Sequence, residues 1–323
     1  MLRIVRASLL VALCALFAGS AAAAGSYPER PIRLIVPFAP GGGTDINARI
    51  LQEPIGTALG QTIVIDNRPG AGSSLGSSIA AKATPDGYTL LLGTISLTIN
   101  PSVYKHLPFD AQKELIPITR VSDQPSILVV RPVFPAKTFK EFIALARANP
   151  GKFNFGSAGV GTGSHLSTTL LTLRTKVDMV HVPFKGTGPA LNALLSGEIS
   201  VYSSTFASAL PHVKSGRLRP YAVTTVYRAK PLPDVPTLQE EGVQDFEYAA
   251  WYGMFAPVGT PQPVLDKIYK ATVGALGNPR VLQLYDAQGL NPTPMTSSEF
   301  RKYFAAEKKK WADVVREAKI AQQ

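Results

Sequence analysis

Cysteine is nearly absent from this chain. One is present among 323 residues, Cys14, and it lies in an N-terminal apolar stretch. That rules out a disulfide framework and cysteine-ligated metal centres for the remainder. Metal-binding patterns are missing as well: there is no H-E-x-x-H and no carboxylate cluster at metal-ligand spacing. Beyond the N-terminal segment, no stretch approaches the roughly 18 uninterrupted apolar residues of a membrane helix. Acidic residues are the minority charge, 22 against 33 Lys and Arg, for a formal net charge of +11.

The first 24 residues read as a secretory signal peptide. Arg3 and Arg6 form a basic start, "ASLLVALCALFAG" is a short apolar core, and Ala22–Ala24 fits a small-residue cleavage site. Leu13, before the cysteine, is too bulky for a lipoprotein attachment site. Cleavage after Ala24 predicts an exported, soluble protein without cysteine. Loss of Arg3 and Arg6 leaves 31 basic residues against 22 acidic ones, a formal +9. The remaining length can bury a large core as one or two domains. The basic residues are scattered, which argues against nucleic acid. Their one dense cluster, Lys308-Lys309-Lys310, sits opposite an apolar stripe at helical spacing (Phe300, Phe304, Trp311, Val315) and reads as a solvated helix face. A scattered positive balance suits steering of small anions.

Strand and helix patterns alternate. "IRLIVPF" (32–38), "TIVIDN" (62–67) and "YTLLLGT" (88–94) read as strands, separated by helices over 46–59 and 74–83, with Pro54 expected to kink or divide the first. A second series follows: strands at 126–132, 152–157, 178–184, 198–204 and 218–225, with helices around 139–149, 164–174 and 188–196. Thr138/Glu141 and Thr296/Glu299 are capping-box pairs. "FEYAAWYGMFAP" (246–257) is long and apolar enough to cross back to the first series, and helices at 262–275 and 297–319 close the chain. The pattern predicts an α/β fold of two lobes, each a mostly parallel sheet flanked by helices, with a ligand enclosed beyond the carboxyl ends of the strands.

Two glycine-rich loops occupy matching strand-to-helix positions. "PGGGTD" (40–45) fits neither G-x-G-x-x-G nor the phosphate loop G-x-x-x-x-G-K-[ST], and no lysine follows to meet a phosphate. Its glycines leave backbone N–H groups open at a helix start, where negative charge is favoured. The plainer alternative is a tight turn with Thr44 or Asp45 as N-cap. "GSAGVGTGSHL" (156–166) repeats the arrangement. An enzyme reading rests on "GSSLG" (72–76), which matches G-x-S-x-G with Ser74 central. Ser74 lies too far from the preceding strand for a sharp nucleophile elbow, and no histidine has a telling context.

Taken in order, "YPERPIRLIVPFAPGGGTDINAR", "GQTIVIDNRPGAG", "ATPDGYTLLLGT", "NPSVYKHLPFD", "GSAGVGTGSHL", "HVPFKGTGPALNALLSGEI" and "LPDVPTLQEEG" resemble the Bug (TctC-type) periplasmic solute-binding receptors of tripartite tricarboxylate transporters. The resemblance spans essentially the whole mature chain. It implies a two-lobed Venus-flytrap fold, no cofactor, a small carboxylate ligand, a membrane permease as partner and a monomeric receptor in the periplasm. It places Gly41, Gly42, Gly43 and Thr44, followed by Asp45, in one ligand loop and Gly161, Thr162, Gly163, Ser164 and His165 in the other. Phe38, Ala39, Ser96, Phe184, Lys185, Ser204 and Thr205 complete the expected ligand-binding set. Two departures stand out. Phe184 occupies the place of a commoner tyrosine, which makes the wall more apolar. Ser204 stands where the family more often has an acid, which removes a partner for a ligand ammonium and argues against an amino acid. Asp45 beside a bound anion would repel it, so it is expected to cap its helix or order water rather than touch ligand. Lys185 reads equally as a cleft residue or a solvated one. Phe38, Phe184 and Trp251 are each core or cleft residues on this reading; two of them in the cleft would favour a planar aromatic carboxylate.

The expected organisation is a signal peptide at 1–24, one lobe of 25–122 plus 250–323 and a second of 123–249, closing about crossings near 121–126 and 246–252. The readings that compete with a transporter receptor are an exported hydrolase using Ser74 and a binding module that feeds a sensor protein.

Overall fold

A computed structural model describes residues 27–320 and residue 322; the expected signal segment lies outside the described residues. The first series is β1 (Ile32–Val36), α1 (Gly43–Leu59), β2 (Ile63–Asn67), α2 (Ser74–Ala81) and β3 (Thr89–Thr94), then α3 (Ser96–Val103) and α4 (Ala111–Glu114). A long strand, β4 (Leu115–Val130), leads into α5 (Phe139–Ala148), β5 (Asn154–Ser157), α6 (Gly163–Thr175), β6 (Val180–Pro183), α7 (Thr187–Ser196), β7 (Val201–Thr205), α8 (Phe206–Lys214) and β8 (Arg219–Val223). The chain returns through β9 (Ala249–Pro257), α9 (Gln262–Leu276), α10 (Pro279–Gln288), the two-residue β10 (Asn291–Pro292) and α11 (Ser297–Glu317).

Strand order divides these elements into two lobes that share β4. On one side β2, β1 and β3 are parallel, and β9 joins β3 antiparallel. Leu115–Pro125 of β4 then pairs with β9, its register shifting twice at bulges. From Ser126 onward the same strand changes neighbours and runs between β7 and β8. β5 pairs parallel with both β7 and β6 to complete the second sheet. One continuous strand thus belongs to both lobes, and β9 lies antiparallel beside it.

The local sequence explains most of these elements. β1 is an aliphatic run whose Ile32, Leu34, Ile35 and Val36 are buried, each contributing about 1.5–3 kcal/mol on removal from water. α1 buries Ala48, Leu51 and Ile55 against the sheet and runs unbroken through Pro54, so the expected division does not occur. The proline removes one backbone hydrogen bond, which the buried face outweighs. The Thr296/Glu299 box is reciprocal, and α11 buries the stripe Phe300, Phe304, Trp311 and Val315. Thr138 caps α5 by accepting from the Glu141 N–H, while Glu141 reaches past it to the Lys137 N–H. The pattern of residues 115–125 hid the first half of β4, because Pro117, Pro125 and interspersed polar residues mask a buried strand.

α11 also carries a buried carboxylate. Glu307 accepts from Trp251 Nε1 of β9 at 3.1 Å and from Trp311 Nε1 of its own helix at 3.0 Å. Trp251 is further enclosed edge-on by Phe300, Tyr303 and Phe304. Replacing Glu307 with Ala leaves two buried indole N–H groups without acceptors. The expected cost is about 3 kcal/mol, read as a lowered urea midpoint; Glu307→Gln, which retains one acceptor oxygen, should lose less.

Candidate functional site

The carboxyl ends of β1, β3 and β5 and the two crossing strands surround a cavity between the lobes, with about 50 Å³ of room for the centre of a water-sized sphere. Its floor is made of Ser126 on β4 and Ala250, Trp251 and Tyr252 on β9, with Tyr248 just before β9. Phe38 contributes one wall. None of the residues lining it is charged. Ser126 Oγ is buried there without a hydrogen-bond partner.

Five helices begin at this cavity: α1, α3, α6, α7 and α8. None has a side-chain N-cap. Elsewhere Asp110, Thr138, Asn278 and Thr296 cap α4, α5, α10 and α11, while α2 and α9 also lack a side-chain cap. Partial substitutes serve two of the five: Gln124 Oε1 accepts from the Ala207 N–H at 3.1 Å, and Thr94 Oγ1 from Ser96 N–H at 3.3 Å. At α1 and α6 the first intrahelical bonds come from Ile46 and Leu166. The N–H groups of Gly43, Thr44, Gly163 and Ser164 therefore remain free at the cavity. Converging N–H donors and helix dipoles make a neutral site selective for an anion.

Gly43 and Gly163 are glycine for reasons of space. A Cβ on Gly43 would collide with Gln124 Nε2 and Tyr252 OH, themselves hydrogen bonded, and one on Gly163 would collide with Tyr248 OH. Both helix starts are pressed onto polar side chains of the crossing strands.

Of the expected site residues, the fold gathers Phe38, Gly42, Gly43, Thr44, Ser96, Thr162, Gly163, Ser164 and Thr205 around the cavity. The rest stand outside its wall. Asp45 is not the N-cap, and neither is Thr44: the helix starts at Gly43 with Gly42 as cap, so Asp45 falls in the first turn. There it accepts from the Gly41 N–H at 3.0 Å, Arg49 Nε at 2.8 Å and Asn67 Nδ2 at 3.1 Å. Burial by itself would raise its pKa; these bonds outweigh it and hold the carboxyl below the usual range. Gly41 O accepts from Ser208 Oγ across the cleft at 3.0 Å, and Ala39 packs on Gly186. Ser204 Oγ bonds its own strand at Thr205 O. Phe184 and Lys185 line a separate outer chamber. Ser126, Tyr248, Tyr252 and Thr187 are cavity residues without a local sequence signature; the apolar crossing segment 246–257 was the only pointer to any of them.

His165 and Gly161 form the support of the second loop. His165 Nδ1 accepts from the Gly161 N–H at 3.4 Å, and its ring stacks on His181 with centroids 4.1 Å apart. His181 stacks in turn on Phe155 and bonds Ser157 Oγ at 2.7 Å. Burial, with His181 adding to it, pushes His165 down to about 3. Burial alone brings His181 to about 4. Ser74 Oγ accepts from Asn100 Nδ2 at 2.9 Å rather than from an imidazole.

Two lobes around a neutral, donor-rich cavity define a binding protein of the periplasmic type. The profile of the tripartite tricarboxylate transporter family receptor (TctC) matches residues 47–320. Protein BugT of Bordetella pertussis is 37% identical over 296 residues, covering 91% of each chain. Among solved structures, the periplasmic binding protein BugD superposes with a TM-score of 0.89 at 35% identity, over 92% of this chain and all of that one (100%). R. palustris Rpa4515, solved with adipate, gives 0.89 at 31% over the same shares, 92% and 100%. The chain belongs to the TctC family of tripartite tricarboxylate transporter receptors, the Bug-type binding proteins, and these are not enzymes.

Two expectations follow from the electrostatics. Asp45→Ala should cost about 2 kcal/mol through the loss of three acceptor bonds, and should loosen the first loop without removing a cavity-lining group. Because the folded pKa of Asp45 is depressed, its contribution is present above the ordinary carboxylate range and lost as pH falls through the folded value. The histidines act at higher pH. Their folded values lie below 6.5, so the unfolded chain takes up protons first, and stability should fall as pH drops from about 6.5 towards 4. A urea midpoint series across that window should slope downward for the natural chain and flatten in a His165→Asn/His181→Asn variant.

Proposed function

We propose that this protein is an exported, periplasmic receptor that captures a small organic carboxylate between its lobes, a dicarboxylate or aromatic carboxylate being favoured, and delivers it to the membrane permease of a tripartite tricarboxylate-type transporter. The observation that carries the reading is the convergence of uncapped helix N-termini on a cavity without a charged side chain. Such a site satisfies carboxylate oxygens through fixed N–H donors. A ligand ammonium would find no carboxylate there, which argues against amino acids. Phe38 lines the cavity, so the body of the ligand meets a ring there. Among described residues no helix is long and apolar enough to cross a membrane, in keeping with a receptor that meets a separate permease.

On this reading the lobes are 25–122 plus 250–323 and 123–249. They swing about the crossings near 121–126 and 246–252, and a monomer suffices. The ligand joins groups from both lobes and so favours the closed form.

A ligand bound only by the folded protein stabilises it by about 2.7 kcal/mol at a concentration of 100 times Kd. Thermal unfolding with a broad panel of mono- and dicarboxylates, aliphatic and aromatic, should therefore raise Tm for at least one class. Amino acids and neutral amides should leave it unchanged. Gly43→Ala should abolish the shift by forcing the first helix start off Gln124 and Tyr252. A panel in which no carboxylate moves Tm refutes the reading.

A further inference from the structure

Phe38 and Ala158 also wall a second chamber, on the outer side of the cavity and open to solvent past Ala71 and Lys185. It lies between the 70–73 segment of one lobe and Gly159, Val160 and Phe184 of the other, with about 230 Å³ of room for the centre of a water-sized sphere. No acidic side chain lines it, and its one charged lining residue is Lys185, which is exposed and makes no ion pair among the described residues. Ser73, from the other lobe, lines the same chamber. Its side chain is buried, with the residue only 2% exposed, yet its Oγ has no hydrogen-bond partner.

The segment that presents Ser73 is conformationally costly. Gly70, Ala71, Gly72 and Ser73 have φ of 138°, 46°, 57° and 81° in succession. For Ala71 and Ser73 this costs roughly 1–2 kcal/mol each. The turn sets Ser73 at the start of α2, whose N-terminus has no side-chain cap. It is held in place by Asn100 Nδ2, which donates to Gly72 O at 2.9 Å. A buried unpartnered hydroxyl, an uncapped helix end and an unpaired ammonium thus meet around one chamber, with the Phe38 ring between it and the inner cavity.

We propose that this outer chamber is a second anion subsite, and that the ligand is an elongated dicarboxylate. Its proximal carboxylate sits among the inner helix N-termini, its spacer lies along Phe38, and its distal carboxylate meets Lys185 Nζ and Ser73 Oγ. The proposal rests on the carboxylate-receptor reading and narrows it.

The test is calorimetry with succinate, glutarate, adipate, pimelate and suberate, each beside its monomethyl ester, on the natural chain, Lys185→Met and Ser73→Gly. Methionine keeps the length of an exposed side chain, and glycine accepts the positive φ, so neither variant endangers folding. In the natural chain the longer diacids should bind about tenfold more tightly than their monoesters, the size of one charged hydrogen bond. Lys185→Met should erase that preference while leaving monoester affinity unchanged, and Ser73→Gly should reduce it. Diacids and esters that bind equally overturn the subsite, as does a diacid preference that survives both substitutions. Failure of every diacid and every ester to bind strikes instead at the receptor reading itself.

Discussion

A carboxylate leaves water only if its oxygens meet donors already in place, because an unpaired buried charge costs several kcal/mol. On the proposed reading, this protein meets that requirement almost without cations. Its donors are backbone N–H groups at helix starts, which cannot titrate and do not reorganise. The cost falls on the empty protein, which must leave several helix ends uncapped while capping others in the ordinary way. Much of the architecture follows from keeping those ends open and still. Gln124 and Tyr252, hydrogen bonded to each other, abut Gly43, and Tyr248 abuts Gly163. The crossing strands therefore fix the height of both donor sets.

On the proposed reading, those strands also decide how the two halves can move. β4 passes from β9 to β7 and β8 at Pro125–Ser126, so the lobes meet at a point on one continuous strand rather than through a flexible linker. In the conformation described, the lobes touch: Tyr104 OH donates to Val160 O at 3.0 Å, and Ser208 Oγ to Gly41 O at 3.0 Å. Gly72 approaches Val160 O so closely that a Cβ would collide with it. Other contacts are apolar or ionic: Ala39 packs on Gly186, Gly289 lies against the Phe206 ring, and Lys230 pairs with Asp286.

The sequence showed the two jaws plainly and their depth poorly. An aliphatic strand, a glycine run and an amphipathic helix are adjacent in the chain, so "PGGGTD" and "GVGTGSHL" could be read as helix starts facing a ligand. The exact starts were missed, because Thr44 and Asp45 look like caps and only tertiary structure reveals that the caps are withheld. Ser126 and Tyr252 reach the cavity through long-range strand pairing, which no local pattern encodes, and Thr187 reaches it as the first residue of α7. β4 was half visible for the same reason: a strand bulged twice and interrupted by prolines has no period-2 signature. Trp251 was ambiguous between core and cleft, and it is both, since its ring edge is packed by α11 while the residue faces the cavity.

The fate of the charges near the jaws argues the same design from the other side. Asp45 would oppose an anion, yet it is bound by Gly41 N–H, Arg49 and Asn67 and lies outside the cavity wall. His165 could have favoured an anion as an imidazolium, yet burial in the stack with His181 and Phe155 keeps it neutral. Both potential charges on the loops serve to hold backbone N–H groups, at Gly41 and at Gly161. The excess positive charge of the chain lies outside, where it draws anions in at long range and is screened by salt. Inside, on the proposed reading, selection depends on the geometry of neutral donors. Attraction and recognition are thereby separated, so that ionic strength should slow capture far more than it weakens the closed complex.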